Sequence, residues 1–303
     1  MTKAIKSMTI YRSDIGVFEK ETLNPYYIFH LKEYSGTGQL LSETEFRPNG
    51  EEELKTTYEY DAKGHLASRT TYYSQEDTLE KMVYEYDGLG LKTNEKSYFG
   101  EDLFEIASFV MDDKENVVLQ TRTDDEENEI ERIESVFDAD ARRSKQVFYE
   151  NGGKVQEISF FYDSYGNCIK EIHAKTEGGT ETIENEYNAE GKKTVSITTD
   201  AKGYMIGRLE IEYDEKMNPI RYANETSGYY NSETLNTVDY DEEGRVVETQ
   251  FYDVMNSYLM SKEKISYDDE GRVAEEERFE INPQQGMKKV HFRLRTEYEY
   301  FPQ

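Results

Sequence analysis

The chain of 303 residues has no tryptophan, a single cysteine, four histidines and few basic residues. Cys168 stands alone, so no disulfide framework forms within the chain. A reducing compartment is therefore permitted without being required. No apolar run approaches the ~20 residues that cross a bilayer as a helix. The N-terminus, Met1-Thr2-Lys3-Ala4-Ile5-Lys6, meets charged residues at once and has no apolar signal-peptide core. The expected location is cytoplasmic, or secreted or surface-exposed if a leader has been removed. Lys and Arg number 36 against 64 Asp and Glu, a net charge of −28. Such a chain repels nucleic-acid phosphates and anionic membranes, so neither nucleic acid nor membrane insertion is expected. A basic protein or peptide is the opposite-charge partner. Acidity also keeps a large sheet soluble, and net charge alone does not choose between the two.

The residues of catalysis are equally thin. His30, His65, His173 and His291 lie far apart and at different phases of the repeat described below. His65 follows a turn glycine and reads as a surface residue. No His-x-x-x-His or Cys-x-x-Cys pair is present, which argues against zinc. No nucleophile elbow, phosphate loop or dinucleotide fingerprint appears, and no cofactor is implied. Two acidic runs, Asp112 to Asn116 and Asp124 to Asn128, invite a calcium reading. Both lack the alternating ligands and central Gly of an EF-hand loop and read as solvated turns. Cys168 sits where Leu66, Val246 and Val273 stand in other copies and reads as a small hydrophobe. An enzyme is not expected.

What the chain has is aromatic rings: 26 Tyr and 14 Phe. Disordered chains are poor in them, so this one is read as folded. Tyrosine suits a structure with little deep interior, because it buries a ring and keeps its hydroxyl wet. The rings are periodic. A residue that is aromatic in nine of ten copies, then Asp, then Gly three residues on, recurs from Tyr34 through Tyr60, Tyr86, Met111, Phe137, Tyr162, Tyr187, Tyr213 and Tyr240 to Tyr267, in steps of 25 to 27. Asp fills the second position in eight of ten copies, with Ser35 and Asn188 in the others. The clearest copies are Asp61 with Gly64, Asp87 with Gly90, Asp163 with Gly166, Asp241 with Gly244, and Asp268 with Gly271.

Asp at the head of a type I turn accepts bonds from amides within the turn. Gly after it takes the positive φ that twists one strand into the next. Asp-x-x-Gly is thus a hairpin turn. The Gly position is taken by Glu115, Ala141 and Met217 in three copies, and Asn116 and Asn218 follow two of them. Asn tolerates the left-handed conformation, so it is expected to stand in for Gly there. The strands entering the turns alternate, as in Tyr58-Glu59-Tyr60 and Val238-Asp239-Tyr240. That is period two, the mark of a half-buried strand. A second, more polar turn, such as Ser74 to Asp77 or Thr176 to Gly179, reverses the chain again. Residues 126–136 could be drawn as a charged helix, but Phe137-Asp138 falls on schedule and predicts a strand.

The expectation is an all-β chain of about ten tandem antiparallel β-hairpins, 25 to 27 residues each. Residues 1–28 form an N-terminal cap or degenerate repeat, and residues 29–303 form one continuous array that ends on the incoming strand Tyr298-Glu299-Tyr300. The copies at 58–66, 238–246 and 265–273 resemble the RHS/YD repeat, from Tyr-Glu-Tyr-Asp-Ala-Lys-Gly-His-Leu in the first to Ile-Ser-Tyr-Asp-Asp-Glu-Gly-Arg-Val in the last. The resemblance spans roughly residues 30–300 and implies consecutive hairpins in a wide sheet that coils into a shell, as in bacterial toxins and teneurins. The array is short, and no Asp-Pro core motif ends it.

Alternation places Glu33, Glu59, Glu85, Glu186, Glu212 and Asp239 opposite the aromatic anchors, as a candidate partner-binding stripe. The function expected is a non-enzymatic scaffold that engages a basic protein partner, toxin-associated in an immunity- or chaperone-like way. The alternative is a carbohydrate-binding or surface-associated module. It rests on tyrosine pairs near loops, Tyr26-Tyr27, Tyr72-Tyr73 and Tyr229-Tyr230, since one ring of each pair faces outward.

Overall fold

The structure is a computed structural model that describes residues 4–16, 22–226, 230–282 and 288–302. Among the described residues there are 23 strands and no helix. The segment 129–137 is a strand, as the repeat register requires. The chain divides into two units, Met1–Lys81 with Thr234–Gln303, and Met82–Glu233. The boundaries fall inside two strands, β7 (Thr78–Tyr86) and β19 (Tyr230–Tyr240).

The first unit holds both ends of the chain. Its strands are β1 (Ile5–Gly16), β2 (Thr22–Leu23), β3 (Tyr27–Tyr34), β4 (Leu40–Phe46), β5 (Glu52–Tyr60) and β6 (Leu66–Tyr73), then β20 (Val246–Asp253), β21 (Tyr258–Tyr267), β22 (Val273–Asn282) and β23 (Lys288–Tyr300). Strands β19 to β23 pair in sequence, and β3 to β6 do the same. Strand β1 lies between the two runs, antiparallel to β23 through Met8↔Tyr298 and to β3 through Met8↔Lys32. The N-terminal segment is therefore a full strand of the sheet, with bonded neighbours on both sides. The second unit is a simple meander: β8 (Lys92–Phe99), β9 (Asp102–Met111), β10 (Val117–Asp124), β11 (Glu129–Phe137), β12 (Arg143–Glu150), β13 (Gly153–Tyr162), β14 (Cys168–Lys175), β15 (Gly179–Tyr187), β16 (Lys193–Thr199), β17 (Met205–Tyr213) and β18 (Pro219–Thr226). Each pairs antiparallel with the next.

The turns follow the chemistry read from the sequence. Asp61 Oδ1 accepts the amides of Lys63 at 2.8 Å and His65 at 2.9 Å. Asp163 and Asp268 bind the amides two and four residues on in the same way, and Asn188 does so with its amide oxygen. Gly64, Gly90, Gly166, Gly244 and Gly271 all hold positive φ, between 78° and 91°. The substitution by Asn is corrected. Glu115 (φ 66°), Ala141 (φ 60°) and Met217 (φ 62°) take the left-handed conformation themselves. Asn116 instead donates its side-chain amide to Asp112, at 3.0 and 3.2 Å, and Asn218 donates to Asp214 at 3.5 Å. The turn needs the left-handed residue at one place, and the side chain there is secondary. His65 is likewise engaged: its Nδ1 lies 3.0 Å from Asp61 Oδ2.

Beside each turn the register shifts by one, for example between Glu59 and Tyr60 and between Phe161 and Tyr162. This is a β-bulge, which adds local twist and explains why the outgoing strands look irregular. The anchor tyrosines then do more than pack. Tyr60, Tyr162, Tyr187, Tyr213 and Tyr267 donate their hydroxyls to the carbonyls of Leu40, Arg143, Cys168, Lys193 and Val246, at 2.7 to 2.9 Å. Each acceptor lies six residues past the previous anchor, where the outgoing strand begins. Arg142, Arg245 and Arg272 bind their own turn Asp and lie 4.5 to 5.0 Å over the next anchor ring. A hydroxyl, and in three copies a guanidinium as well, thus ties these hairpins to their neighbours.

There is little dry core. Among the described residues the buried hydrophobic side chains are Ile15, Val147 and Ile158, while Ser13, Ser42, Thr44, Thr56, Ser68, Thr71, Ser135, Asn185 and Asn236 are also buried. The chain exposes 19249 Å², against about 13,000 Å² for a compact protein of this mass. The half-buried anchor rings end in hydroxyls that bond to backbone.

Candidate functional site

Cross-strand pairing sorts the side chains of the first unit onto two faces. The anchor face carries His30, Lys32, Glu43, Thr56, Tyr58 and Thr71 on adjacent strands. Tyr58 donates to Glu43, with Lys32 Nζ 3.5 Å and His30 Nε2 3.4 Å from the same carboxylate. Burial pushes the Glu43 carboxyl up, but the Tyr58 hydroxyl, Lys32 and His30 outweigh it, and it titrates below the ordinary carboxylate range. Burial, then Lys32, pushes the His30 imidazole down. On the opposite face Glu277 accepts from His291 at 2.8 Å and Arg293 at 2.7 Å, in a second closed network. In the second unit His173 meets Glu171 at 2.9 Å and Gln156 at 3.3 Å. Each histidine is held by a carboxylate of the sheet, in a different place.

The predicted acids stand on the face opposite the anchors. In the first unit Glu33, Glu59 and Asp239 lie exposed on it. Glu33 accepts the buried Ser42 hydroxyl and Glu59 the buried Ser68 hydroxyl, each at 2.7 Å. Asp239 faces Glu248 across the ladder. It borders a groove of about 530 Å³ lined also by Lys264, Ser266, Glu275, Glu277 and Arg293. In the second unit Glu186 and Glu212 are exposed and Glu85 is half-buried. Lys96 and Asn94 bind Glu85 and hold its carboxyl below the ordinary range. Arg221 binds Glu212 at 2.8 Å. The six predicted acids thus share a phase and differ in company.

The sequence reading missed what fills that phase between Glu85 and Glu186. Val110, Val136 and Phe161 stand there, 51%, 53% and 45% exposed. The signal was present in the residue before Met111, Phe137 and Tyr162. It went unread because only acids were sought.

The acidic turn runs spend their carboxylates on their own turns. Asp112 and Asp124 each accept two amides and an Asn side chain. Asn116 and Asn128 hold these carboxyls below the ordinary range. Of the tyrosine pairs, Tyr72 is exposed and Tyr73 half-buried, while Tyr26 and Tyr27 are both half-buried. Tyr229 lies outside the described residues. A different ring stands out. Tyr165, 90% exposed, overhangs a cleft of about 560 Å³ lined by Asn167, Asn185, Glu186 and Asn188.

No family model matches the chain, and no curated protein matches it. Its neighbours among solved structures include TcdB2-TccC3 chains. The chain is similar to one in a TcdB2-TccC3-Cdc42 crystal structure, with 12% identity over 97% of this chain and a TM-score of 0.49. It is similar to TcdB2-TccC3 without its hypervariable C-terminal region, with 13% identity over 94% and a TM-score of 0.42. This chain spans 18% of the length of each. A porin-like protein from Bacteroides uniformis is similar over 99% of this chain and 98% of its own, with 9% identity and a TM-score of 0.37.

Proposed function

We propose that the chain is a non-enzymatic binding scaffold whose exposed acidic face engages a basic protein or peptide. The observation that carries this reading is the placement of Glu33, Glu59, Glu186, Glu212 and Asp239, exposed at one phase of the repeat on a chain of net charge −28. Among the described residues no hydrogen bond or ion pair occupies the carboxylate of Glu186 or Asp239. A cationic partner offsets the like-charge repulsion that such neighbours build up. Nucleic acid and membrane insertion are disfavoured by the same charge. The repeat motif supports a toxin-associated role, immunity- or chaperone-like.

A second reading, a carbohydrate-binding module, is favoured by Tyr165, whose ring lies over a cleft rich in amide side chains. One experiment separates the two. The immobilised chain is used for affinity capture at low and then high salt, with mass spectrometry, beside a glycan array. Basic proteins released by salt past about 0.15 M, where charges beyond ~8 Å are screened, support the scaffold. Salt-resistant glycan binding lost in Tyr165→Ala supports the alternative and contradicts the first reading.

A further inference from the structure

The exposed face of the second unit is acidic at its ends and apolar in its middle. Val110 on β9, Val136 on β11 and Phe161 on β13 occupy one phase on successive incoming strands. Leu119 pairs with Val110, Lys145 with Val136, and Lys170 with Phe161. The two lysines send their ammonium groups away, to Glu157 at 2.9 Å and Glu184 at 3.0 Å. The apolar side chains thus form a diagonal band across four strand spacings, ~19 Å, with Glu134 opposite Leu119 and Ser159 opposite Lys145 on the same face. Glu85 and Glu186 hold the same phase at its two sides, with Glu212 beyond. Turn acids surround it: the unit has 34 Asp and Glu against 17 Lys and Arg, a net charge of −17.

We infer that this band is the docking seat for an amphipathic basic segment of the partner, with an apolar centre flanked by Lys or Arg. The inference rests on the scaffold reading and adds to it that charge alone is insufficient for binding. The occupant follows from complementarity. A second copy of this chain would bring its own −28 against the same surface, which long-range repulsion opposes. A segment covering ~19 Å as a helix needs about 13 residues. Its apolar side meets Val110, Leu119, Val136 and Phe161, and its basic residues reach Glu186, which is free.

The test uses the full chain and two synthetic peptides of equal charge. One is a Leu/Lys amphipathic helix of about 18 residues, and the other replaces every Leu by Ser. Binding is followed by fluorescence anisotropy across a salt series. The Leu/Lys peptide is expected to bind at least about tenfold tighter, because apolar burial adds to charge. Val110→Thr, Val136→Thr and Phe161→Thr together keep β-branched side chains in the strands. They should remove that advantage, leave the Ser/Lys affinity and leave the thermal melt unchanged. Equal binding of both peptides overturns the docking seat and spares the scaffold. Absence of binding by either at low salt overturns both. A dimer of the wild-type chain in sedimentation, lost in the triple Thr variant, assigns the band to self-association and overturns the inference.

Discussion

The phenolic oxygen of the anchor is what makes Tyr, rather than Phe, the useful ring here. In five copies it donates at 2.7 to 2.9 Å to the carbonyl that opens the neighbouring outgoing strand. Removing it leaves a half-buried carbonyl without its partner. Tyr213→Phe and Tyr267→Phe should each cost about 1 kcal/mol in denaturant unfolding. The left-handed turn position makes the opposite prediction. Glu115, Ala141 and Met217 hold φ of 60° to 66°, a conformation that costs a side chain about 1–2 kcal/mol. Replacing each by Gly should stabilise the protein, by up to about 1 kcal/mol once Gly's own entropy is counted. Gly244→Val should destabilise it by roughly 1–3 kcal/mol. The turn carboxylates set the acid limit. Asn side chains hold Asp112, Asp124 and Asp163, and the Arg142 amide holds Asp138, below the ordinary range of about 3.8. A carboxyl lowered by folding stabilises above its unfolded value, and that contribution disappears as pH falls through the folded one. Melting temperature should therefore hold from neutral pH down to about 4 and then fall steeply. A flat profile to pH 3 would contradict the turn geometry.

At the scale of strands and turns, the hairpin period was readable because each requirement is local. Asp binds amides two and four residues on, Gly supplies a positive φ, and alternation sets the faces. The same locality hid two features. Glu115 and Met217 look like broken copies because an unfavoured residue in a required conformation leaves no trace in composition. The place of β1 was illegible for a different reason. Met8 pairs with Tyr298, and no period links residues that far apart. That strand gives the first unit its sharpest test. Deleting residues 1–16 would leave β3 and β23 with open edges, which invite pairing with other chains. The shortened protein should associate in sedimentation or lose its cooperative melt. A monomer with an unchanged melt would show that β1 is dispensable.

For the molecule as a whole, surface outweighs interior. With three buried hydrophobic side chains among the described residues, stability rests on ladders, turns, hydroxyls and ion pairs, and the six predicted acids stand on the face opposite the anchors. The acids of that face were legible as a phase before the structure was known. Their company was not, because ion pairs with Lys96 and Arg221 depend on register between strands. This changes which residues test the account. The carboxylates of Glu186 and Asp239 have no partner among the described residues, whereas reversing Glu59, Glu85 or Glu212 would also break a bond within the sheet. The decisive measurement is binding of a basic partner, or of the Leu/Lys peptide, to wild type and to Glu186→Lys/Asp239→Lys across salt. The account predicts affinity that falls steeply as salt rises past about 0.15 M, and loss of most of it in the variant with an unchanged melt. Full binding by the variant at low salt, with the same dependence on salt, would contradict it.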